Sequence, residues 1–434
     1  MESASVAATM TVAARLSPQP WMTAPESRAV FAALAAGGAD ARFVGGCVRD
    51  AWLGRPVKDI DIATHAPPER VMELLTAAGI RVIPTGIAHG TVTALCGAKP
   101  YEITTLRRDV ETFGRHARVE FTDDWVEDAA RRDLTMNALS CTPDGEMFDP
   151  FGGLADLAAG RVRFVGEAWR RIDEDVLRLL RFFRFHAHYG RGEPDREALE
   201  ACRDLAPRLP TLSGERVRGE LFRLLTAPCA AAVWRLMMGQ GIMPHLLPEA
   251  MDTARLERLI AVERDLGLVP DPTRRLAAVL DSDRPGALRA ADALRLSNHE
   301  RDRLLALVEP PVVLVPADDR RALRHGLYRV GDAGLFADML LIAAAIHDGP
   351  LDLTMLRAAL AVAEDLPCLH LPIAGRDLLA LGVPRGPAVG MMLKRIEGWW
   401  IAEDFQPDHT SCLEMARGML GSDSGRVPQS AKRE

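Results

Sequence analysis

Apolar and polar positions follow two regimes along this chain of 434 residues. Up to about residue 165, short apolar runs recur between turn residues, the pattern of strands joined to helices. The runs predict strands over 41–44, 59–63, 81–83, 91–95 and 101–106. Helical spacing predicts a helix over 26–37, closed by Gly37-Gly38, and another after Pro67-Pro68, with proline in its first turn. Residues 107–119 (RRDVETFGRHARV) are polar around Gly114 and read as a mobile loop between strands. From 166 onward strand signals vanish, and apolar residues recur at helical spacing, as in DEDVLRLLRFFRFHAHYG and GERVRGELFRLLTAP. Residues 375–405 read as a helix pair around a Gly/Pro turn. The expected organisation is a loose leader over 1–24 and an α/β head over 25–165. Helical segments over 166–225, 226–370 and 371–410 follow, then a disordered C-terminus over 411–434.

Composition narrows this picture modestly. Hydrophobic residues make up 48% of the chain, enough for packed cores, and the formal net charge is -7. Residues 161–223 reverse the sign, with 14 Arg against 11 Asp and Glu. No apolar run reaches the roughly 18 residues that span a bilayer. The N-terminus lacks the basic and apolar regions of a signal peptide. Seven cysteines are scattered without CxxC or zinc spacing, which fits reduced thiols and a cytoplasmic protein. His347-Asp348 is a lone pair without the partners of a metal phosphohydrolase, and no P-loop pattern occurs.

The chemistry concentrates in residues 43–64, FVGGCVRDAWLGRPVKDIDIAT. Asp59 and Asp61 flank one apolar residue, so on a strand they share a face about 6.6 Å apart. Two such carboxylates call for a cation, and hard oxygen donors suit Mg²⁺. Upstream, Gly45 and Gly46 allow close backbone approach to a phosphate, and Arg49 can grip its oxygens. Glu102, in the strand-like YEITTL, is the candidate third carboxylate. Its competing role is as partner to Arg107 or Arg108.

Two further clusters are ambiguous by themselves. In RRDLTMNA, Asp133 and Asn137 would be i,i+4 neighbours if helical, able to hold ribose hydroxyls, with Arg132 on the triphosphate. The bland reading is a helix end with surface ion pairs. In EDVLRLLRFFRF, Asp175 and Arg178 are three apart, and Arg178, Arg181 and Arg184 repeat every three residues. Such a ridge either faces an anion or is an ordinary charged helix face. Asp149-Pro150-Phe151-Gly152-Gly153 marks a hinge or a plain linker.

The motifs GGCVRD (45–50), DID (59–61), YEITTLR (101–107), RRDLTMNAL (131–139), DPFGGLADL (149–157), EDVLRLLRFFRF (174–185) and SGERVRGEL (213–221) occur in this order. Together they resemble the class II tRNA nucleotidyltransferase and bacterial poly(A) polymerase family, over about 41–225. The resemblance implies an α+β protein, a polymerase-β-like head followed by an all-α neck, body and tail. It implies template-independent addition of CMP, CMP and AMP to the tRNA 3′ end from CTP and ATP. It assigns Asp59 and Asp61 to Mg²⁺, Glu102 to the third acidic position, and Gly45, Gly46, Arg49 and Arg132 to nucleotide phosphates. Asp133 and Asn137 take the ribose; Asp175, Arg178, Arg181 and Arg184 take the base and triphosphate. RNA is expected across the helical part. A poly(A) polymerase shares this chemistry. A DxD glycosyltransferase or a silent RNA-binding helical protein fits less of the pattern.

Overall fold

The structure, a computed structural model, describes residues 10–97, 99–113, 116–346 and 352–423. His347-Asp348 lies outside them. Contacts divide the chain into two compact units. One runs through Pro248 and takes in Asp292–Leu296; the other holds Glu249–Ala291 and the chain from Ser297.

Among the described residues the first unit holds ten strands: β1 (Ala14–Arg15), β2 (Ala41–Val44), β3 (Asp61–Thr64), β4 (Arg81–Gly86), β5 (Thr91–Cys96), β6 (Lys99–Thr105), β7 (Arg107–Phe113), β8 (His116–Phe121), β9 (Ser140–Cys141) and β10 (Glu146–Phe148). Eight form one mixed sheet in the order β1-β10-β9-β2-β3-β6-β5-β4, in which β3 and β6 run parallel. Helices α1 (Pro20–Thr23), α2 (Pro25–Ala36), α3 (Gly46–Trp52), α4 (Pro68–Ala77), α5 (Trp125–Ala130) and α6 (Gly153–Ala159) accompany the strands. Proline at the first turn of α2 and α4 supplies a preset φ where no N–H bond is needed. Val30, Phe31 and Leu34 of α2 and Val71 and Leu75 of α4 are buried. Phe43 of β2 sits 4.7 Å from Trp21 and 4.5 Å from Phe31, ring to ring.

Helices continue the unit as α7 (Ala168–Glu174), α8 (Leu177–Tyr189), α9 (Arg196–Leu205), α10 (Gly214–Leu225) and α11 (Ala230–Gly239). In α8, Leu179, Phe182, Phe183 and Phe185 are buried, and α8 packs on α10 and α11. The division drawn in the sequence at 225/226 therefore falls inside a packed unit, with Trp234 of α11 fully buried.

The second unit is helical: α12 (Thr253–Leu266), α13 (Pro272–Val279), α14 (Arg284–Ala293, its end in the first unit), α15 (Asn298–Val308), α16 (Arg320–Val330), α17 (Ala333–Ile346), α18 (Leu353–Ala361), α19 (Gly375–Ala380), α20 (Pro387–Ala402) and α21 (His409–Asp423). Among the described residues none is long and apolar enough to cross a membrane. A buried ion network crosses its core: Glu263 binds Arg274 and Arg275, and Asp338 binds Arg274 and Arg303.

Four expectations need correction. The leader is not loose from residue 14 to 24: β1 pairs with β10, and Leu16 and Met22 are buried apolar anchors. Residues 107–113 and 116–121 pair as two antiparallel strands, with Arg107 opposite Phe121, and the ladder bonds satisfy their backbone. Residues 411–423 lie in α21, whose Cys412 and Ala416 are buried. The helix expected across 173–190 breaks at Asp175, which is extended (φ -151°) and whose carboxylate accepts from the Leu177 N–H at 3.2 Å. That bond competes with helix continuation.

Candidate active site

β2 leads directly through Gly45 into α3. Gly45 has φ +71°, and a Cβ there would lie 3.0 Å from Arg132 Nη1, so glycine is needed for both turn and approach. β3 opens at Asp61 rather than Asp59, because its first ladder pair is Asp61 with Glu102 of β6, and pairing with β2 reaches only to Ile62. Burial nevertheless alternates over 59–62, where Ile60 and Ile62 are buried, Asp59 is exposed and Asp61 half-buried; Ala63 and Thr64 beyond are both buried. The Glu102 N–H donates to Ile60 O at 3.2 Å, which sets Asp61 opposite Glu102 in register.

Asp61 carries the perturbed carboxyl at this acidic strand end. Burial raises its carboxyl, Glu102 adds to that, Arg132 opposes and Asp59 pushes further, leaving it at about 6. Hard oxygen donors that repel one another suit a divalent cation. Among the described residues no group of three carboxylate, imidazole or thiol side chains is gathered as a ready metal cage.

Beside Asp61 lies a cavity of about 640 Å³. Its lining brings together Gly45, Gly46, Arg49, Arg132, Asp133, Asn137, Asp175, Arg178, Arg181 and Arg184; Asp59 and Glu102 stand outside it. Eight arginines line it against three aspartates, an excess of positive charge in the lining.

A chain of hydrogen bonds orders the lining. Arg49, over the Tyr189 ring at 4.5 Å, donates to Asn137 Oδ1 at 2.5 Å. The Asn137 amide donates to Asp133 Oδ1 at 2.9 Å, and Arg181 Nε donates to Asp133 Oδ2 at 2.6 Å. Burial alone would raise the Asp133 carboxyl; Arg181, the Asn137 amide and the Leu134 N–H overcome it and hold it at about 2. Asp133 and Asn137 meet without the expected α-helix. Residues 133–135 are drawn out by bonds to 163–165, and only Thr135–Asn137 close a 3₁₀ turn.

The arginine ridge also differs from expectation. Its charge does not await an anion, since Glu174 pairs with Arg178 at 2.6 Å, Asp133 with Arg181 and Glu220 with Arg184 at 2.5 Å. Asp175 pairs with Arg216 of α10 at 2.7 Å rather than with Arg178. Sequence reasoning passed over Arg131, Arg216, Arg223 and Phe185, which also line the cavity. The adjacent arginines at 131–132 and the ERVRGE run were the available signals.

A mixed sheet with an acidic strand edge, a Gly-Gly turn and an arginine-lined cavity defines a polymerase-β-like nucleotidyltransferase. Residues 41–163 match the family model described as poly A polymerase head domain, and 193–253 that described as probable RNA and SrmB-binding site of polymerase A. The chain is 36% identical to the Mus musculus protein named CCA tRNA nucleotidyltransferase 1, mitochondrial, covering 86% of this chain and 85% of that one. It is 30% identical to a Leuconostoc mesenteroides CCA-adding enzyme, over 90% and 96%. The crystal structure of the Bacillus stearothermophilus CCA-adding enzyme in complex with CTP matches with a TM-score of 0.76 at 29% identity, over 93% of this chain and 98% of that one. The chain belongs to the CCA tRNA nucleotidyltransferase family.

Proposed function

We propose that this chain adds CMP, CMP and AMP to the 3′ end of tRNA, using CTP and ATP and no nucleic-acid template. The observation that carries this reading is the arginine-lined cavity with Asp61 at its edge and Asp175 and Arg178 in its wall. Names of relatives support it: proteins called CCA-adding enzymes align over most of both chains, and one is crystallised with CTP.

In this reading Gly45, Gly46, Arg49 and Arg132 bind the triphosphate, and Arg181 and Arg184, held by Asp133 and Glu220, line the same wall from α8. Asp133 and Asn137, already bonded to each other, orient the ribose. Asp59 and Asp61 are the residues that would hold Mg²⁺, with Glu102 beside them. When bound, such an ion supplies Lewis-acid stabilisation and lowers the pKa of a hydroxyl. The RNA 3′-hydroxyl attacks the α-phosphorus in line and pyrophosphate leaves, with the protein supplying position and charge.

The base is read by Asp175 and Arg178. A carboxylate has about four acceptor sites. The bonds from Leu177 N–H and Arg216 leave capacity for the exocyclic amine of cytosine or adenine. A uracil or guanine carbonyl would face that carboxylate lone pair to lone pair, a mismatch of about 1–3 kcal/mol. The free state of all seven cysteines supports a cytoplasmic location.

The test incubates the protein with tRNA lacking its 3′ end and each labelled nucleoside triphosphate. Incorporation of C and then A is the expected result. Long A-only ladders would assign a poly(A) polymerase, and no product with any nucleotide would end the reading.

A further inference from the structure

Asp128 of α5 takes no part in the chemistry above, yet it is 3% exposed and charged. Its carboxylate accepts three bonds. Oδ1 takes Arg131 Nε at 2.8 Å and the Arg107 N–H at 3.3 Å, and Oδ2 takes Arg132 Nη2 at 3.2 Å. Burial would raise this carboxyl, but the two guanidinium groups overcome that and lower it, so it stays an anion.

Arg132 connects Asp128 to the cavity through its guanidinium, whereas Arg131 meets the cavity wall through its backbone carbonyl. Arg132 uses its other terminal nitrogen to donate to Asn137 O at 3.3 Å, and the same nitrogen packs against the Gly45 turn. The Arg131 carbonyl accepts from Arg178 Nη2 at 3.3 Å. Two adjacent arginines repel and carry large rotamer entropy, so left alone they would sample many positions. A buried anion between them fixes both. Pre-ordering of this kind removes an entropy cost that the ligand would otherwise bear on binding.

We propose that Asp128 is a positioning residue for the nucleoside triphosphate: it holds Arg132 against the Gly45 turn, so that this cavity arginine is set before the nucleotide arrives. The inference rests on the nucleotidyl-transfer reading of the cavity.

The experiment is a kinetic double-mutant cycle on the full chain, with CTP and ATP varied against tRNA lacking its 3′ end. Asp128→Asn keeps the shape and removes the charge. The expected result is a KM for both nucleotides raised about tenfold, from loss of a charge-assisted bond. kcat and the KM for tRNA stay within about threefold. In an Arg132→Ala background the same change adds less than about twofold, because Asp128 acts through Arg132. A merely structural role predicts equal effects in both backgrounds and a parallel fall in kcat, and either result overturns the proposal. If Asp128→Asn does not fold, Asp128→Glu, which displaces Arg132 by one methylene, takes its place in the cycle: a raised nucleotide KM that vanishes without Arg132 supports the proposal, and equal effects in both backgrounds overturn it. An unchanged nucleotide KM beside a normal wild-type overturns this proposal alone. No incorporation by the wild-type chain overturns the parent reading, and this proposal with it.

Discussion

Asp61 and Glu102 stand directly opposite each other on the parallel strands β3 and β6. Their proximity, added to the burial of Asp61, keeps the Asp61 carboxyl at about 6 instead of the usual carboxylate range. An arrangement that costs stability in the free protein is expected where a ligand relieves it. Asp61→Asn should therefore lower kcat on the order of 10³-fold, as removal of a principal charge-stabilising group does. Glu102→Gln should cost less, about 10- to 100-fold, as a supporting residue does. Neither should lower the melting temperature or the affinity for tRNA. Full activity of Asp61→Asn would remove the metal assignment.

Arg178 carries a second prediction. Arg178→Ala should leave C and A incorporation measurable while discrimination against UTP and GTP falls roughly tenfold, the worth of one lost specific hydrogen bond. Competition assays with all four nucleotides measure this. Unchanged discrimination would take base reading away from α8.

Gly45 tests the phosphate turn. Alanine there meets both the penalty for φ +71° and Arg132 Nη1 at 3.0 Å. Gly45→Ala should cost about 1–2 kcal/mol of stability and raise the nucleotide KM by pushing Arg132 aside. Urea titration and initial-rate kinetics separate the two effects.

Asp133 gives the pH dependence. Its carboxyl is depressed from 3.8 to about 2 in the folded protein. The stability it contributes is then fully present above the unfolded value near 3.8 and is lost as pH falls toward 2. Two units correspond to about 2–3 kcal/mol. Asp133→Asn should be less stable at pH 6 and should lose less on acidification between pH 4 and 2. Denaturant midpoints across that range provide the check.

In the second unit, Glu263 is 1% exposed and holds Arg274 and Arg275, both nearly buried. Glu263→Ala removes one buried anion from the network that holds Arg274 and Arg275 and should cost about 3–5 kcal/mol. A melting temperature within 2 °C of wild-type would refute this, given the several degrees that about 1 kcal/mol shifts a domain.

Much of the site was legible because its motifs are local. Gly45, Arg49, Asp61, Asp133 and Asn137 lie in two short runs, and alternation alone set Asp61 apart from Ile60 and Ile62. The pairing pattern was not legible. Glu174 and Asp175 are adjacent in the chain, yet one neutralises Arg178 and the other Arg216, because the backbone turns extended between α7 and α8. Glu220 reads as one more charge on a helical run, and only the packing of α10 on α8 brings it to Arg184.

Hydrophobic periodicity by itself determined the α/β head, the helical remainder and the strands that carry the acidic residues. Those features depend on neighbours within one strand or turn, where backbone geometry sets which side chains share a face. Tertiary structure decided that Ala14–Arg15 joins the sheet, that 107–113 pairs with 116–121, and which carboxylate meets which arginine. Those outcomes turn on ladder partners and counter-charges far away in the chain. A strand edge or a guanidinium is equally satisfied by any partner of the right chemistry, until folding brings one within about 3 Å.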